Sequence, residues 1–377
     1  MNTGPQEQPH SANRIRVMLV DDSPIIRGMN ARILSHNSEI EIVASESNGE
    51  LAVSRMDQGD IDVVVLDIEM PVMDGLTAIP LLLKKDRNVK ILMSSTLTRR
   101  GAEVSFRAMD LGAADFIAKP TTGTVTEGGT TIEEYRREIV AKTLSLGAAA
   151  LKKRSRLQHV PAAAVAAPAP AKPVLAVDAT RGAPRIIAIG SSTGGPQALL
   201  KIFKELDKVI KCPIVITQHM PAHFTAILAK HIDNISPMPC REAVDGEFLE
   251  SGHIYVAPGD YHMTVKADGV RHRISLNQNP PENFCRPAVD PMFRSIADCF
   301  GKRSLCVVLT GMGRDGASGA EVVSKAGGCV IAQDEETSVV WGMPGATYKT
   351  GVCSAILPIS KIAGFINNAA KVSGHDS

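Results

Sequence analysis

Nine short apolar runs punctuate this sequence, five on one side and four on the other of a stretch with almost nothing to bury. The first five are 15–20 (IRVMLV), 41–44, 61–66 (IDVVVL), 89–93 (VKILM) and 115–117. Helical patterning lies between them near 25–35, 49–57, 75–84 and 101–111, and a fifth helical segment follows near 132–150. Apolar runs that alternate with helices, rather than with polar residues, predict parallel strands covered on both faces. The pattern resumes with 185–189 (RIIAI), 213–217 (PIVIT), 304–309 (SLCVVL) and 329–332, with helices starting near Pro196, Ala222, Asp315 and Pro358. Turn signals at Asp245-Gly246, Ser251-Gly252, Pro258-Gly259 and Asp268-Gly269 predict a β-rich, antiparallel insert over 238–276. The fold class is therefore α/β: two doubly wound parallel-sheet domains, the second with an antiparallel β insert.

The dividing stretch, 160–184, alternates alanine with Pro161, Pro168, Pro170 and Pro173. It favours extended polyproline geometry and reads as a semi-rigid linker. The expected boundaries are a first domain over 14–138, a helix end and linker over 139–184, and a second domain over 185–371. The basic run Lys152, Lys153, Arg154 and Arg156 reads as a solvated helix end that complements the helix dipole.

A net charge of +1 and an aromatic content of 4% argue against a nucleic-acid partner, which would call for a basic face or stacking platforms. Residues 1–14 are polar, without the apolar core of a secretory signal. No run approaches the ~18 apolar residues of a membrane span, so no membrane insertion is expected. The seven cysteines all fall from Cys212 onward, in odd number and without a C-x-x-C pair. That usage suggests reduced thiols in a cytoplasmic protein and no zinc site.

Asp21 and Asp22 follow the first strand, Asp67 the third, Ser95 the fourth, and Lys119 the fifth. The carboxyl ends of parallel strands form the ligand crevice. Three carboxylates converging there repel one another, and a hard divalent cation such as Mg²⁺ relieves that. A hydroxyl and an ammonium on the same edge can contact a phosphoryl group. Taken singly, each aspartate could be only a helix cap or turn residue; five matched strand ends argue for a site. The stretches VDDS (20–23), LDIEMPVMDG (66–75), Ser95 and KP (119–120) resemble the receiver domain of two-component response regulators. That resemblance implies a flavodoxin-like fold and Asp67 as phosphoacceptor. It further implies Mg²⁺ held by Asp21, Asp22 and Asp67 with the Glu69 carbonyl, and Ser95 and Lys119 as switch residues.

In the second half, Ser192 sits in a G-x-S-x-G arrangement, Gly190 to Gly194, between a strand and a helix. Flanking glycines permit a tight turn that exposes the hydroxyl, and the helix N-terminus offers free N–H groups to an oxyanion. A phosphate-binding or purely structural turn would look the same. His219 ends the next strand, and Asp315 begins a helix after SLCVVL. A carboxylate there can orient an imidazole, or merely cap the helix. Gly311, Gly313 and Gly316 also match G-x-G-x-x-G, with Asp334 placed for a ribose. A nicotinamide-dependent enzyme is thus an alternative, though it leaves Ser192 and His219 unexplained. A non-catalytic adaptor is another.

The stretches IGSSTGGP (189–196), ITQHMP (216–221), YVAPGDYHM (255–263), RPAVD (286–290), LTGMGRDG (309–316) and GMPG (342–345) resemble the catalytic domain of chemotaxis protein-glutamate methylesterases, which also deamidate glutamines. The resemblance implies Ser192 as nucleophile, His219 as general base and Asp315 as orienting acid. Backbone amides near Thr193 and Met312 would form the oxyanion hole. It implies methyl-accepting chemoreceptors as substrate, a chemotaxis histidine kinase as phosphodonor, and no cofactor for the ester chemistry; a receiver-controlled methylesterase of a non-chemotaxis system is the alternative. The chain departs from the pattern at Cys285, where many members carry a histidine.

Overall fold

The computed structural model describes residues 14–96, 98–120, 131–158, 182–208 and 210–371. They belong to two compact units, one on a five-stranded sheet and one on a seven-stranded sheet. The linker expected over 160–184 lies outside the described residues up to position 181.

The first half of the chain alternates β1 (Ile15–Val20), α1 (Pro24–Ser35), β2 (Ile40–Glu46), α2 (Gly49–Arg55), β3 (Val63–Asp67), α3 (Gly75–Lys85), β4 (Lys90–Ser95), α4 (Arg99–Asp110), β5 (Asp115–Ala118) and α5 (Ile132–Gln158). Its sheet order is β2-β1-β3-β4-β5, with β1 parallel to β2 and β3, and β3 parallel to β4. That order switches direction between β1 and β3, which opens a crevice at their carboxyl ends. Every residue of β3 is buried, as expected of a strand covered on both faces. Ser23 caps α1 and Asp74 caps α3, each side chain accepting a backbone N–H of the first turn. Helix α5 runs well past position 138, and Ile139, Leu146 and Ala150 are buried. The packed part of this helix thus extends beyond the limit expected for the first domain.

The second unit contains β6 (Ile186–Ser191), α6 (Gly195–Lys204), β7 (Ile214–Gln218), α7 (Phe224–Ile235), β8 (Cys240–Glu242), β9 (Ile254–Val256), β10 (His262–Asp268), β11 (Arg271–Asn277) and α8 (Val289–Phe300). It continues with β12 (Ser304–Val308), α9 (Ala317–Lys325), β13 (Cys329–Gln333), α10 (Met343–Lys349), β14 (Ala355–Leu357) and α11 (Ile359–Lys371). The sheet order is β14-β13-β12-β6-β7-β9-β8, parallel throughout. Fully buried β6 lies near its middle, with β7 on one side and β12 on the other. The carboxyl ends of β6, β7 and β12 are therefore neighbours at a switch point, where α/β sheets bind ligands.

The insert differs in part from expectation. Among the described strands of the insert, β10 and β11 pair antiparallel, while three-residue β8 and β9 extend the parallel sheet. Helix α8 carries Pro291 within its first turn, where a missing N–H costs nothing. Its Val289, Met292, Phe293 and Ile296 are buried in one core with Ile186, Ala188 and Val215 of the sheet.

Candidate active site

At the β1/β3 crevice, carboxylate oxygens of Asp21, Asp22 and Asp67 lie within 4.8 Å of one another. Asp21 and Asp67 are buried and Asp22 is exposed. Asp21 Oδ1 accepts the N–H of Ser23, and Asp67 Oδ1 accepts that of Ile68, so the turns after both strands aim the carboxylates. Three hard oxygen donors this close, two of them buried, fit a divalent cation. Ser95 ends β4, which pairs with β3 so that Asp67 stands opposite Ser94. The Ser95 hydroxyl donates to the Gly101 carbonyl at 3.1 Å. Lys119 follows β5, and its amide donates to the Ser95 carbonyl at 2.7 Å. Glu69 lies in the turn after β3.

In the second unit the strand register brings the site together. Ser191 of β6 stands opposite Gln218 of β7, so Ser192 and His219 leave the sheet side by side. The His219 amide donates to the Ser191 carbonyl at 3.0 Å. His219 Nε2 lies 2.7 Å from Asp315 Oδ2. Asp315, 1% exposed, is fixed from all sides. Its Oδ2 also accepts from Val289 N, and its Oδ1 accepts from Asn283 Nδ2, Asp290 N and Gly316 N. Burial opposes its ionisation, but the His219 hydrogen bond and charge, with the backbone donors, hold it below the usual carboxylate range.

The other ring nitrogen, His219 Nδ1, lies 3.3 Å from Cys285 Sγ. Burial disfavours the imidazolium, yet Cys285 and Asp315 on either side outweigh it and raise the pKa to about 10. Ser192 is 8% exposed, and its hydroxyl makes no hydrogen bond among the described residues. The backbone N–H groups of Thr193 and Met312 likewise meet no acceptor among the described residues. The Thr193 hydroxyl is also buried without a partner among them.

The glycine run after β12 is explained by this packing. A Cβ on Gly311 would sit 2.3 Å from Met343 Sδ and 2.9 Å from Ser192 Cβ. The glycine is there because the Ser192 turn crosses it. Gly194 adopts φ +75° to turn the chain into α6. Asp334, which the nicotinamide alternative would assign to a ribose, instead accepts from Thr337 N and Thr337 Oγ1.

Four side chains not anticipated as site residues belong here. Gln218, 2% exposed, accepts from Ser191 Oγ and donates to the Ser192 and His219 carbonyls. It clamps the two turns together. Asn283 donates through Nδ2 to both Asp315 and Asp290. Burial and the Asp315 charge push the Asp290 carboxyl up. Cys285 is the fourth. Gln218 directly precedes His219, which was its one sequence signal; Asn283 and Cys285 come from a loop whose path the sequence does not disclose, and Asp290 from the first turn of α8.

Residues 187–366 match the CheB methylesterase family, and residues 17–125 match the response regulator receiver domain family. Protein-glutamate methylesterase/protein-glutamine glutaminase 1 of Rhodospirillum rubrum is 50% identical over 373 residues, which cover 94% of this chain and 95% of that protein. Its namesake in Paramagnetospirillum magneticum is 51% identical over 379 residues, covering 96% and 97%. The crystal structure of the Thermotoga maritima CheB methylesterase catalytic domain is 42% identical, covers 49% of this chain and 97% of that one, and has a TM-score of 0.48. Near-full-length identity with these relatives, together with the two matched domains, places the chain in the protein-glutamate methylesterase/protein-glutamine glutaminase family, with a receiver domain ahead of a methylesterase domain.

Proposed function

We propose that this chain is a phosphorylation-activated serine hydrolase. It removes methyl groups from glutamyl methyl esters of methyl-accepting chemoreceptors, and deamidates glutamines there, so setting sensory adaptation. The observation that carries the reading is the 2.7 Å contact of His219 with Asp315 beside the Ser192 turn. Ser192 Oγ attacks the γ-carbonyl carbon. Its proton passes to His219 Nδ1, the nitrogen that Asp315 does not engage. The Thr193 and Met312 N–H groups receive the oxyanion. Collapse expels methanol, protonated by His219, and water then releases glutamate from the acyl-enzyme. A glutamine amide follows the same route and yields ammonia.

In the receiver, Asp67 accepts a phosphoryl group from a chemotaxis histidine kinase. Asp21, Asp22 and Asp67 would hold Mg²⁺, which offsets the charge of the acids and the phosphoryl group. Ser95 and Lys119 respond to the new charge. The chain acts in the cytoplasm; among the described residues no helix is long and apolar enough to cross a membrane. The test is methanol release from methylated receptors by wild type and Ser192→Ala. Loss of ~10³-fold or more is expected of the variant, and retained activity would overturn the assignment.

A further inference from the structure

Cys285 has no part in the serine mechanism, yet its sulfur lies 3.3 Å from the nitrogen that mechanism needs. Asp315 is immobilised by Asn283 and by the amides of Val289, Asp290 and Gly316, and it holds His219 Nε2 at 2.7 Å. The ring is therefore oriented, with Nδ1 as its only available base. Cys285 stands at that nitrogen, and the register of β6 and β7 brings the Ser192 turn beside the His219 turn. We propose that Cys285, His219 and Asp315 form a thiol counterpart of the serine triad, and that Cys285 is a covalent modification site for soft electrophiles such as haloacetamides and α,β-unsaturated carbonyl compounds, whose occupation stops the esterase. The proposal rests on the reading of His219 as the esterase base.

The thiol is both held and reachable. Backbone hydrogen bonds in both directions between Glu282 and Cys285, at 3.2 and 2.9 Å, fix the short loop that carries it. Asn283 and Phe284 beside it are exposed, Phe284 at 77%, and Cys285 itself is half-buried. Five of the other six cysteines supply the contrast. Burial pushes Cys212 and Cys353 up to about 12, and also raises Cys240, Cys299 and Cys306. A thiol so raised supplies little thiolate, the nucleophilic form. Cys285 instead has an imidazole of high proton affinity against its sulfur.

With iodoacetamide the step balances simply. The sulfur forms a bond to the methylene carbon, the carbon–iodine bond breaks, and iodide leaves with the electron pair. The thiol proton passes to His219 Nδ1. The thioether that remains has no proton to give and stays against Nδ1, the nitrogen that the proposed esterase mechanism needs as its base.

The experiment uses the full chain, iodoacetamide, and mass spectrometry of each cysteine-containing peptide over time. Cys285 should label at least ~10-fold faster than Cys212 or Cys353, and Ser192→Ala should leave its rate intact. His219→Gln should slow Cys285 labelling ~10-fold without speeding Cys306, whose labelling would betray unfolding. Methanol release should fall in step with Cys285 labelling, and iodoacetamide should inhibit Cys285→Ala no further, whatever that variant's starting activity. Labelling of Cys285 at the Cys212 rate within the wild-type chain, which needs no variant, overturns the proposal. So does full alkylation with methanol release unchanged. A chain that releases no methanol before alkylation contradicts the esterase reading instead, while the labelling rates still decide the thiol.

Discussion

Replacing Asp315 with asparagine changes one atom and should disable the esterase for a reason the hydrogen bonds specify. Oδ2 of the carboxylate faces His219 Nε2 and the fixed Val289 N–H, whereas Oδ1 faces three donors, Asn283 Nδ2, Asp290 N and Gly316 N. The new amide group can place its NH₂ on either side. On the Oδ1 side it would oppose three donors; on the Oδ2 side it opposes one fixed donor and an imidazole that can change tautomer. The NH₂ should therefore point at His219. Nε2 then becomes an acceptor, the ring proton moves to Nδ1, and the nitrogen proposed to take the Ser192 proton is no longer a base. A wrong tautomer of this kind costs ~10⁴ in kcat. The one orphaned donor, Val289 N, costs about 1–3 kcal/mol of stability. Methanol release at neutral pH reads the first quantity and urea unfolding the second. A folded Asp315→Asn within tenfold of wild type would refute the reasoning.

Other consequences follow from the same geometry. Gly311→Ala must push its Cβ away from Met343 Sδ and Ser192 Cβ, 2.3 and 2.9 Å off, and should lower kcat/KM ~10²-fold through a misplaced nucleophile; an unimpaired variant would contradict the packing. Gln218→Ala orphans the Ser191 hydroxyl and the bonds to the Ser192 and His219 carbonyls, and should cost about 3 kcal/mol in urea unfolding as well as activity. As the proposed base, His219 must be neutral and its pKa is raised, so log kcat/KM should climb with pH beyond the ordinary ~6.5 and towards 10. Cys285→Ala removes one of the groups that raise it, so the climb should move to lower pH; an unmoved profile would contradict that cause.

Much of the architecture was legible because parallel strands buried on both faces read as unbroken apolar runs. IRVMLV, IDVVVL and PIVIT announce β1, β3 and β7 directly. Strand ends then told where chemistry could gather. Asp21, Asp22 and Asp67 converge as their positions implied. Ser192 and His219 become neighbours because β6 and β7 are adjacent and in register. Short or proline-bearing elements stayed hidden. Strands β8 and β9 have three residues each, too few for periodicity to register, and Pro291 masks the start of α8. The contact of Cys285 with His219 was also out of reach, since 66 positions separate them and a loop conformation alone joins them. The same loop brings Asn283 to Asp315, so this support of the Asp315 carboxylate could be read only from coordinates.

The most direct test of the account is release of labelled methanol from methylated chemoreceptor membranes, with and without acetyl phosphate and Mg²⁺. Four full-length chains are compared: wild type, Ser192→Ala, His219→Gln and Asp67→Asn. The account predicts release by wild type that rises with the phosphodonor, none from Ser192→Ala or His219→Gln, and basal release without the rise from Asp67→Asn. Release that survives the loss of Ser192, or a full response to phosphodonor without Asp67, would contradict it.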